Sequence, residues 1–139
     1  MISAKISVEE LNNRMRDTSV GHLGIEITEI GPDYICGKMP VDKRTIQPMG
    51  ILHGGCSVHL AETLGSVGSL LCIDTEKKVS VGMGINANHV RSVREGYVRG
   101  RATLVHHGKT THIWDIRIVN NEEELVCISR LTVAIMDKR

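Results

Sequence analysis

Aromatic side chains are nearly missing from this sequence of 139 residues: phenylalanine does not occur, and one tryptophan and two tyrosines are its only aromatics. Proteins that bind single-stranded nucleic acids usually stack bases on aromatic side chains, so the composition disfavours that class. Excess charge is missing as well, because 17 basic residues face 16 acidic ones and leave a net charge of +1. Because the protein has no overall positive field to attract a phosphate backbone, we expect no nucleic-acid partner.

Long apolar runs and paired cysteines are also absent. No stretch of about 18 uninterrupted apolar residues occurs, so we expect no membrane partner, and Met1–Lys5 lacks the apolar run of a secretory signal. The cysteines Cys36, Cys56, Cys72 and Cys127 form no C-x-x-C pair, which argues against a zinc knuckle and a thioredoxin motif. We therefore expect no metal site, and a reducing, cytoplasmic setting is the default interpretation.

The rest of the composition is typical of an ordinary globular protein. Hydrophobic residues make up 41% and charged residues 24% of the chain, which suits a single core at this length. Neither a repeat nor a linker divides the sequence. We predict one domain over residues 1–139.

Hydrophobic periodicity predicts a helix, two strands, a long helix and then four strands. A capping-box pattern at Ser7–Glu10 predicts a short helix that ends near Asp17, and Gly54 to about Cys72 is the long one. The predicted strands are Ile25 to Ile30, Tyr34 to Met39, Val79–Asn86, Tyr97–His106, Thr110–Asn120 and Leu125–Met136. Consecutive hairpins pair antiparallel, and a long apolar helix must cover a sheet face. The predicted class is α+β, an antiparallel sheet wrapped around a central helix.

The long helix carries a polar stripe. On a helical wheel, one sector holds Leu60, Leu64, Val67 and Leu71, and the opposite sector holds His59, Glu62, Ser66 and Ser69. The polar side has one carboxylate and no lysine or arginine, whereas solvated helix faces usually mix both charges. We interpret Glu62 as a functional candidate, against the alternative of a plain solvated face.

Two glycines open the same helix, directly after His53. Exposed backbone N–H groups at a helix start attract negative charge, so Gly54 and Gly55 suit a developing oxyanion or a phosphate, unless they only permit a tight turn. Glu62 lies eight positions beyond Gly54, about 12 Å along the axis. An attacking group and an oxyanion donor must both lie roughly 3 Å from one reacting group. A working site therefore needs two antiparallel copies of the helix, and thus at least a dimer.

Four segments follow the pattern of a known family: Met39–Gly55, Leu60–Ser66, Asn86–Gly96 and Ser129–Thr132. They resemble the hotdog-fold acyl-CoA thioesterases, within the PaaI-like group that includes 1,4-dihydroxy-2-naphthoyl-CoA thioesterases and enterobactin-pathway proofreading thioesterases. The resemblance implies a hotdog fold, a homodimer that assembles to a homotetramer, and hydrolysis of an aromatic acyl-CoA. An aryl group on a carrier protein is the alternative substrate, and a non-catalytic acyl-CoA-binding protein the alternative function.

The resemblance also implies roles for individual residues. Glu62 is the catalytic carboxylate, as nucleophile or as general base on water, and the amides of Gly54 and Gly55 polarise the thioester carbonyl. His53 and Gln47 orient the reacting groups.

Further roles concern the two ends of the substrate. Ser66 forms a hydrogen bond near the catalytic carboxylate or the acyl ring, and a loop with His89, Arg91 and Arg94 contacts the nucleotide end of coenzyme A. No separate cofactor is implied, because coenzyme A is part of the substrate. Met49 stands where relatives often have an aromatic residue, so the exact acyl group stays open.

The residues themselves also suggest other kinds of chemistry. Cys56 lies in the first helical turn between His53 and His59, which also suits a cysteine nucleophile, although core packing is the simpler role. The same three side chains make a poor metal site, because the two histidines point to different helix faces. The glycines of Gly82–Ala87 resemble a dinucleotide fingerprint but lack a βαβ unit around them. A hotdog hydratase is disfavoured, because it typically relies on a differently arranged histidine and acid.

Overall fold

A six-stranded antiparallel sheet forms the body of the protein, and the computed structural model describes all 139 residues. The strands are β1 (Glu26–Ile30), β2 (Tyr34–Pro40), β3 (Lys78–His89), β4 (Tyr97–His107), β5 (Thr111–Val119) and β6 (Leu125–Asp137). Their spatial order is β1-β2-β4-β5-β6-β3, with antiparallel neighbours throughout. Because β3 crosses to the far side of β6, β1 and β3 are the two edges of the sheet.

Three helices complete the fold: α1 (Val8–Met15), α2 (Ser19–His22) and α3 (Gly54–Leu70). The predicted cap of α1 is present, since Ser7 Oγ accepts from the backbone N–H of Glu10 at 3.0 Å, but the helix ends two residues before Asp17. The four-residue α2, capped by Thr18, was not predicted. None of the three helices has the length and hydropathy that crossing a bilayer requires.

Helix α3 lies in the concave face of the sheet and packs against β2 to β6. Small residues make this close approach possible. A Cβ built at Gly37 or Gly100 would lie 2.8 Å from a methyl group of Leu64, and one built at Gly68 would lie 2.5 Å from the Trp114 ring. The fully buried Leu64 and Trp114 sit at the centre of the core. The predicted α+β class and its wrapped central helix are confirmed.

Buried and more exposed residues alternate along β5, so that one face of this strand covers the helix. Trp114, Ile116 and Ile118 are fully buried, while the residues between them face away from the core. This is the period of two that is typical of a strand with one covered face.

The position of Ser69 corrects the predicted polar stripe. Ser69 is fully buried, and its Oγ accepts from Trp114 Nε1 at 2.8 Å and bonds to His112 Nδ1 at 2.9 Å. The sheet curls around the C-terminal half of α3 from more than one side. A position opposite Leu60 on the wheel therefore faces β5 there rather than solvent.

Candidate active site

The N-terminus of α3 is held by the irregular segment that precedes it. His53 is the N-cap of the helix, and its Nδ1 accepts from the N–H of Gly55 at 2.8 Å. The backbone N–H of His53 donates to Thr45 O at 2.8 Å. Thr45 is itself fully buried and donates to Pro40 O at 2.8 Å. The loop thus fixes the direction in which the helix begins.

Capping makes the two predicted oxyanion donors unequal. The N–H of Gly55 is occupied by His53, whereas the N–H of Gly54 has no acceptor within the chain. Because Nδ1 accepts a hydrogen bond, the proton of neutral His53 lies on Nε2, which also has no partner in the chain. The helix start therefore offers two free donors to an incoming oxygen, the Gly54 amide and the His53 Nε2–H.

A cleft of about 440 Å³ opens beside these donors. Gln47, Gly54, His89 and Arg91 line it, and we call it the glycine cleft. Its remaining lining residues are Ile51, Leu52, Ser57, Val90, Ser92 and Val126. Gln47 uses its side-chain oxygen to accept from the N–H of Met49, which leaves its amide NH₂ free to donate.

The location of His89 differs from the prediction. It was expected in a loop, but β3 continues three residues past Asn86 and ends at His89, which pairs with Cys127 of β6. The imidazole lies against Gly54, where a built Cβ would be 2.8 Å from Nε2. His89 therefore sits at the start of α3, beside the free Gly54 amide.

The two arginines predicted to bind phosphate are separated. Arg91 lines the glycine cleft and pairs with Glu124, whose Oε2 lies 3.3 Å from Nη1. Arg94 lies outside this cleft, in a neighbouring depression of about 530 Å³ next to the β5–β6 turn. The structure thus brings together His89 and Arg91 but not Arg94.

A second cleft, also of about 440 Å³, lies along the middle of α3. Glu62 and Ser66 both line it, as the predicted stripe requires, and we call it the Glu62 cleft. Its other lining residues are Met15, Ser19, Val20, Gly55, Val58, His59, Thr63 and Val67. The carboxylate of Glu62 is exposed and forms no hydrogen bond or ion pair within the chain. Its Oε1 lies near edge strand β3, 3.5 Å from a Cβ built at Gly82.

The two clefts have no lining residue in common. Glu62 stands eight residues after Gly54 on one straight helix, a separation of about 12 Å. A single chain therefore presents a carboxylate in one cleft and the free Gly54 amide in the other.

Comparison with known proteins identifies the family. The chain matches the model of the Thioesterase superfamily over residues 49–127. The chain belongs to the thioesterase superfamily. It is 51% identical, over 95% of its length and 96% of the relative's, to the 1,4-dihydroxy-2-naphthoyl-CoA hydrolase of Escherichia coli. It is 44% identical to the proofreading thioesterase EntH of Cronobacter turicensis, over 94% and 95% of the two chains.

The fold comparison agrees. A mutant thioesterase of Pseudomonas aeruginosa superimposes with a TM-score of 0.95 and 42% identity, covering 97% of both chains. The protein is a thioester hydrolase with the hotdog fold.

The cysteine alternative gains no support in this thioesterase. Cys56 is half-buried, and burial raises the pKa of its thiol. The neighbouring imidazoles are engaged elsewhere, His53 with the Gly55 amide and His59 with Ser19 and Thr63. A catalytic cysteine needs a lowered pKa and a base within hydrogen-bonding reach, and Cys56 has neither.

Sequence reasoning missed one wall of the Glu62 cleft. Met15, Ser19 and Val20 reach it from α1 and α2, elements separated from α3 by more than 30 residues. The one signal for α2 was Thr18, a favoured N-cap residue, and nothing in the sequence linked this short helix to Glu62.

Proposed function

We propose that this thioesterase hydrolyses an aromatic acyl-CoA, with 1,4-dihydroxy-2-naphthoyl-CoA as the favoured substrate. The name of the Escherichia coli relative supports this choice, at 51% identity. The Glu62 cleft supports it as well, because Met15, Val20, Val58 and Val67 give it apolar walls within the size range of small-molecule sites. A hydroxybenzoyl-type group, on coenzyme A or on an aryl carrier protein, is the alternative that the relative named as a proofreading thioesterase supports.

The observation that supports the mechanism is that Glu62 and the free Gly54 amide line two separate clefts. Glu62 and the free Gly54 amide are too far apart to act on one carbonyl carbon. We infer a site shared between two copies of the chain, in which Glu62 of one subunit faces Gly54 and His53 of the other. The active form is then a homodimer, and a pair of such dimers is the homotetramer that the family resemblance implies.

Edge strand β3 supports this pairing. Its outer side has no partner strand, and the side chains of Val81 and Met83 are 48% and 69% exposed. Long exposed edges with apolar side chains favour pairing with another chain. Because Glu62 lies beside Gly82 of this strand, a second copy paired along β3 brings its own α3 next to the carboxylate.

Hydrolysis then follows from the groups at hand. Glu62 either removes a proton from the attacking water or attacks the carbonyl carbon itself, forming an anhydride that water cleaves. The negative charge on the carbonyl oxygen is stabilised by the Gly54 amide and His53 Nε2–H, and Gln47 donates its free NH₂ to orient the attacking oxygen or the thioester. The C–S bond breaks, the thiolate of coenzyme A takes up a proton, and the acyl group leaves as the acid.

We propose that the acyl group and the coenzyme A part of the substrate also bind in different clefts. Ser66 contacts the acyl ring in the Glu62 cleft. His89 contacts the thioester end of coenzyme A, because it lies against Gly54, and Arg91 contacts a phosphate by exchanging its partner Glu124. Arg94 lies further out, and we propose for it a longer-range attraction to the nucleotide.

Subunit mixing tests the shared site. Glu62→Ala and Gln47→Ala are each expected to be severely impaired, and co-refolding them forms hybrid dimers with one intact site of two. Random assortment makes about half of the dimers hybrid, so recovery of about a quarter of wild-type activity is expected. Native mass spectrometry verifies the hybrids, and each variant refolded alone is the control. Verified hybrids without any gain in activity would overturn the shared site.

Substrate ranking tests the acyl group. We expect kcat/KM to be highest for 1,4-dihydroxy-2-naphthoyl-CoA in a panel with hydroxybenzoyl-CoA, phenylacetyl-CoA and an aryl carrier protein thioester. A higher value for the carrier-bound aryl group would replace the favoured substrate by the proofreading alternative.

A further inference from the structure

The imidazole of His59 joins two elements on the rim of the Glu62 cleft. Its Nε2 lies 2.9 Å from Ser19 Oγ of α2, and its Nδ1 lies 3.1 Å from Thr63 Oγ1, one turn further along α3. Each hydroxyl can donate or accept, so a neutral imidazole with one N–H satisfies both bonds at once. With both ring nitrogens occupied, His59 has no free group for the substrate and acts through its neighbours.

Helix α2 depends on this contact more than α1 does. α1 is anchored by buried Leu11 and by Asn12, whose amide both donates to and accepts from the backbone of Ile27 at 3.0 and 2.8 Å. α2 has no fully buried residue, since Val20 is only half-buried against the core, and the Ser19–His59 bond is its one hydrogen bond to α3. A four-residue helix without a fully buried side chain gains little stability of its own.

The end of α1 and the helix α2 together form the outer wall of the cleft. Met15 and Val20 lie across from Val58 and Val67 of α3, and these four side chains supply the apolar surface that an acyl group would contact. Because α2 supplies Val20, the separation of the two walls at this residue depends on where α2 is held.

We propose that Ser19, His59 and Thr63 form a latch that holds α2 against α3 and so sets the width of the acyl cleft for a flat aryl group. His59 is then a positioning residue for specificity. The proposal rests on the proposed function in one respect, that the acyl group lies in the Glu62 cleft.

Hydrogen exchange tests the latch without any substrate. The amides of His22 and Leu23 donate to Thr18 O and Ser19 O at 2.9 and 3.2 Å, and they report on whether α2 is formed. We expect Ser19→Ala and His59→Ala to raise their exchange rates several-fold. The matched control is His22→Ala, which removes an exposed histidine of α2 that forms no side-chain hydrogen bond. Unchanged exchange in both latch variants would overturn the proposal.

Kinetics on matched substrates test the specificity role. For an aryl-CoA, we expect His59→Ala to lower kcat/KM about tenfold, mostly through KM, the size of effect that loss of one hydrogen bond produces. For acetyl-CoA, which does not span the cleft, we expect less than a twofold change. His59→Gln is expected to restore part of the aryl preference, because its amide nitrogen can reach Ser19 in the way Nε2 does.

Each remaining outcome has a separate meaning. An equal fall in kcat for both substrates would overturn the positioning role in favour of direct catalysis by His59. Loosened exchange with an unchanged aryl preference would overturn the specificity role. Full activity in Glu62→Gln would instead contradict the proposed function, and the exchange experiment would still decide whether the latch exists.

Discussion

Two regions along α3 differ in whether their polar groups have hydrogen-bond partners within the chain. In the N-terminal half and its surroundings, the Gly54 amide, the Gln47 NH₂ and the Glu62 carboxylate are left without partners in the chain. In the C-terminal half, Ser69 is fully buried and bonded to both His112 and Trp114. Unpaired polar groups thus gather around the start and middle of α3, and paired, buried ones lie near its C-terminal end.

This difference separates function from stability on one element. Polar groups that are buried and paired cost stability when they lose a partner. Polar groups that are exposed and unpaired contribute little to stability, and their open hydrogen-bonding capacity suits a ligand. We therefore expect substitution of the unpaired Glu62 or Gln47 to change activity without changing stability, and substitution of the buried Ser69 or of its partner His112 to do the reverse.

The largest expected effect is at Glu62. Glu62→Gln keeps the size of the side chain and removes its negative charge, so we expect kcat to fall about 10³-fold, within the range of general-base catalysis. The midpoint of urea unfolding should not move, because the carboxylate has no partner to lose. Wild-type turnover in this variant would contradict the role of Glu62, and a large loss of stability would contradict the comparison of the two halves.

His53 combines the two roles, and substitution separates them. His53→Ala removes the N-cap, which costs about 1 kcal/mol of stability, and the Nε2–H donor, whose loss lowers kcat about 10²-fold. His53→Ser restores a capping side chain, so we expect the stability to return but not the rate. Steady-state kinetics and urea unfolding of both variants measure this. Recovery of turnover in the serine variant would show that the cap alone matters.

Protonation of the buried His112 makes the stability of the fold depend on pH. Burial, followed by the nearby charge of His107, lowers the pKa of His112 to about 4 from its ordinary 6.5. The unfolded chain then binds this proton more tightly than the folded one, so stability is complete above pH 6.5 and falls as the pH drops towards 4. Between pH 7 and 5 we expect a loss of about 2 kcal/mol from this residue.

Urea unfolding of wild type and His112→Gln at both pH values measures that loss. The glutamine does not titrate and can still bond to Ser69, so the pH dependence should shrink while kcat at pH 7 stays the same. An identical pH dependence in both proteins would show that His112 is not its source.

A smaller effect is expected for the two arginines. Arg91→Ala with Arg94→Ala should raise KM for an acyl-CoA up to about tenfold and leave kcat unchanged, because remote phosphate contacts stabilise substrate and transition state alike. Higher salt should reduce the difference from wild type. A thioester of N-acetylcysteamine, which lacks the nucleotide, is the control. If its KM rises equally, the arginines do not contact the nucleotide.

Glu124→Gln is expected to change KM in the opposite direction. Without its ion pair, Arg91 is free to meet a phosphate, and KM should fall slightly. The expected change is small because half-exposed ion pairs contribute roughly 0–1 kcal/mol.

Local patterns predicted the parts of the fold that depend on neighbouring residues. The serine cap of α1, the buried Trp114 and Ile116 of β5, and the long helix after Gly54 all follow from spacings of two to four residues. The same holds for the order of His53, Gly54 and Glu62 on one helix. These features are fixed by the periodicity of helix and strand, so the sequence was sufficient to predict them.

Features that depend on distant segments were missed. Ser69 was placed on the polar stripe with Glu62 because a helical wheel does not contain the sheet that curls around the helix. His89 was assigned to a loop because its strand character comes from pairing with Cys127, which lies almost 40 residues away. The wall formed by Met15 and Val20 could not be predicted either, since no local pattern relates α1 or α2 to α3.

The sequence by itself determined the order and period of the elements and put the carboxylate and the oxyanion donors about 12 Å apart on one helix. Only the tertiary structure decided that Glu62 and Gly54 open into two separate clefts, that β3 becomes an exposed edge beside Glu62, and that His53 occupies the amide of Gly55. The physical reason is that spacing along a helix is set by backbone geometry. Which side of that helix is covered is set by how the sheet closes around it.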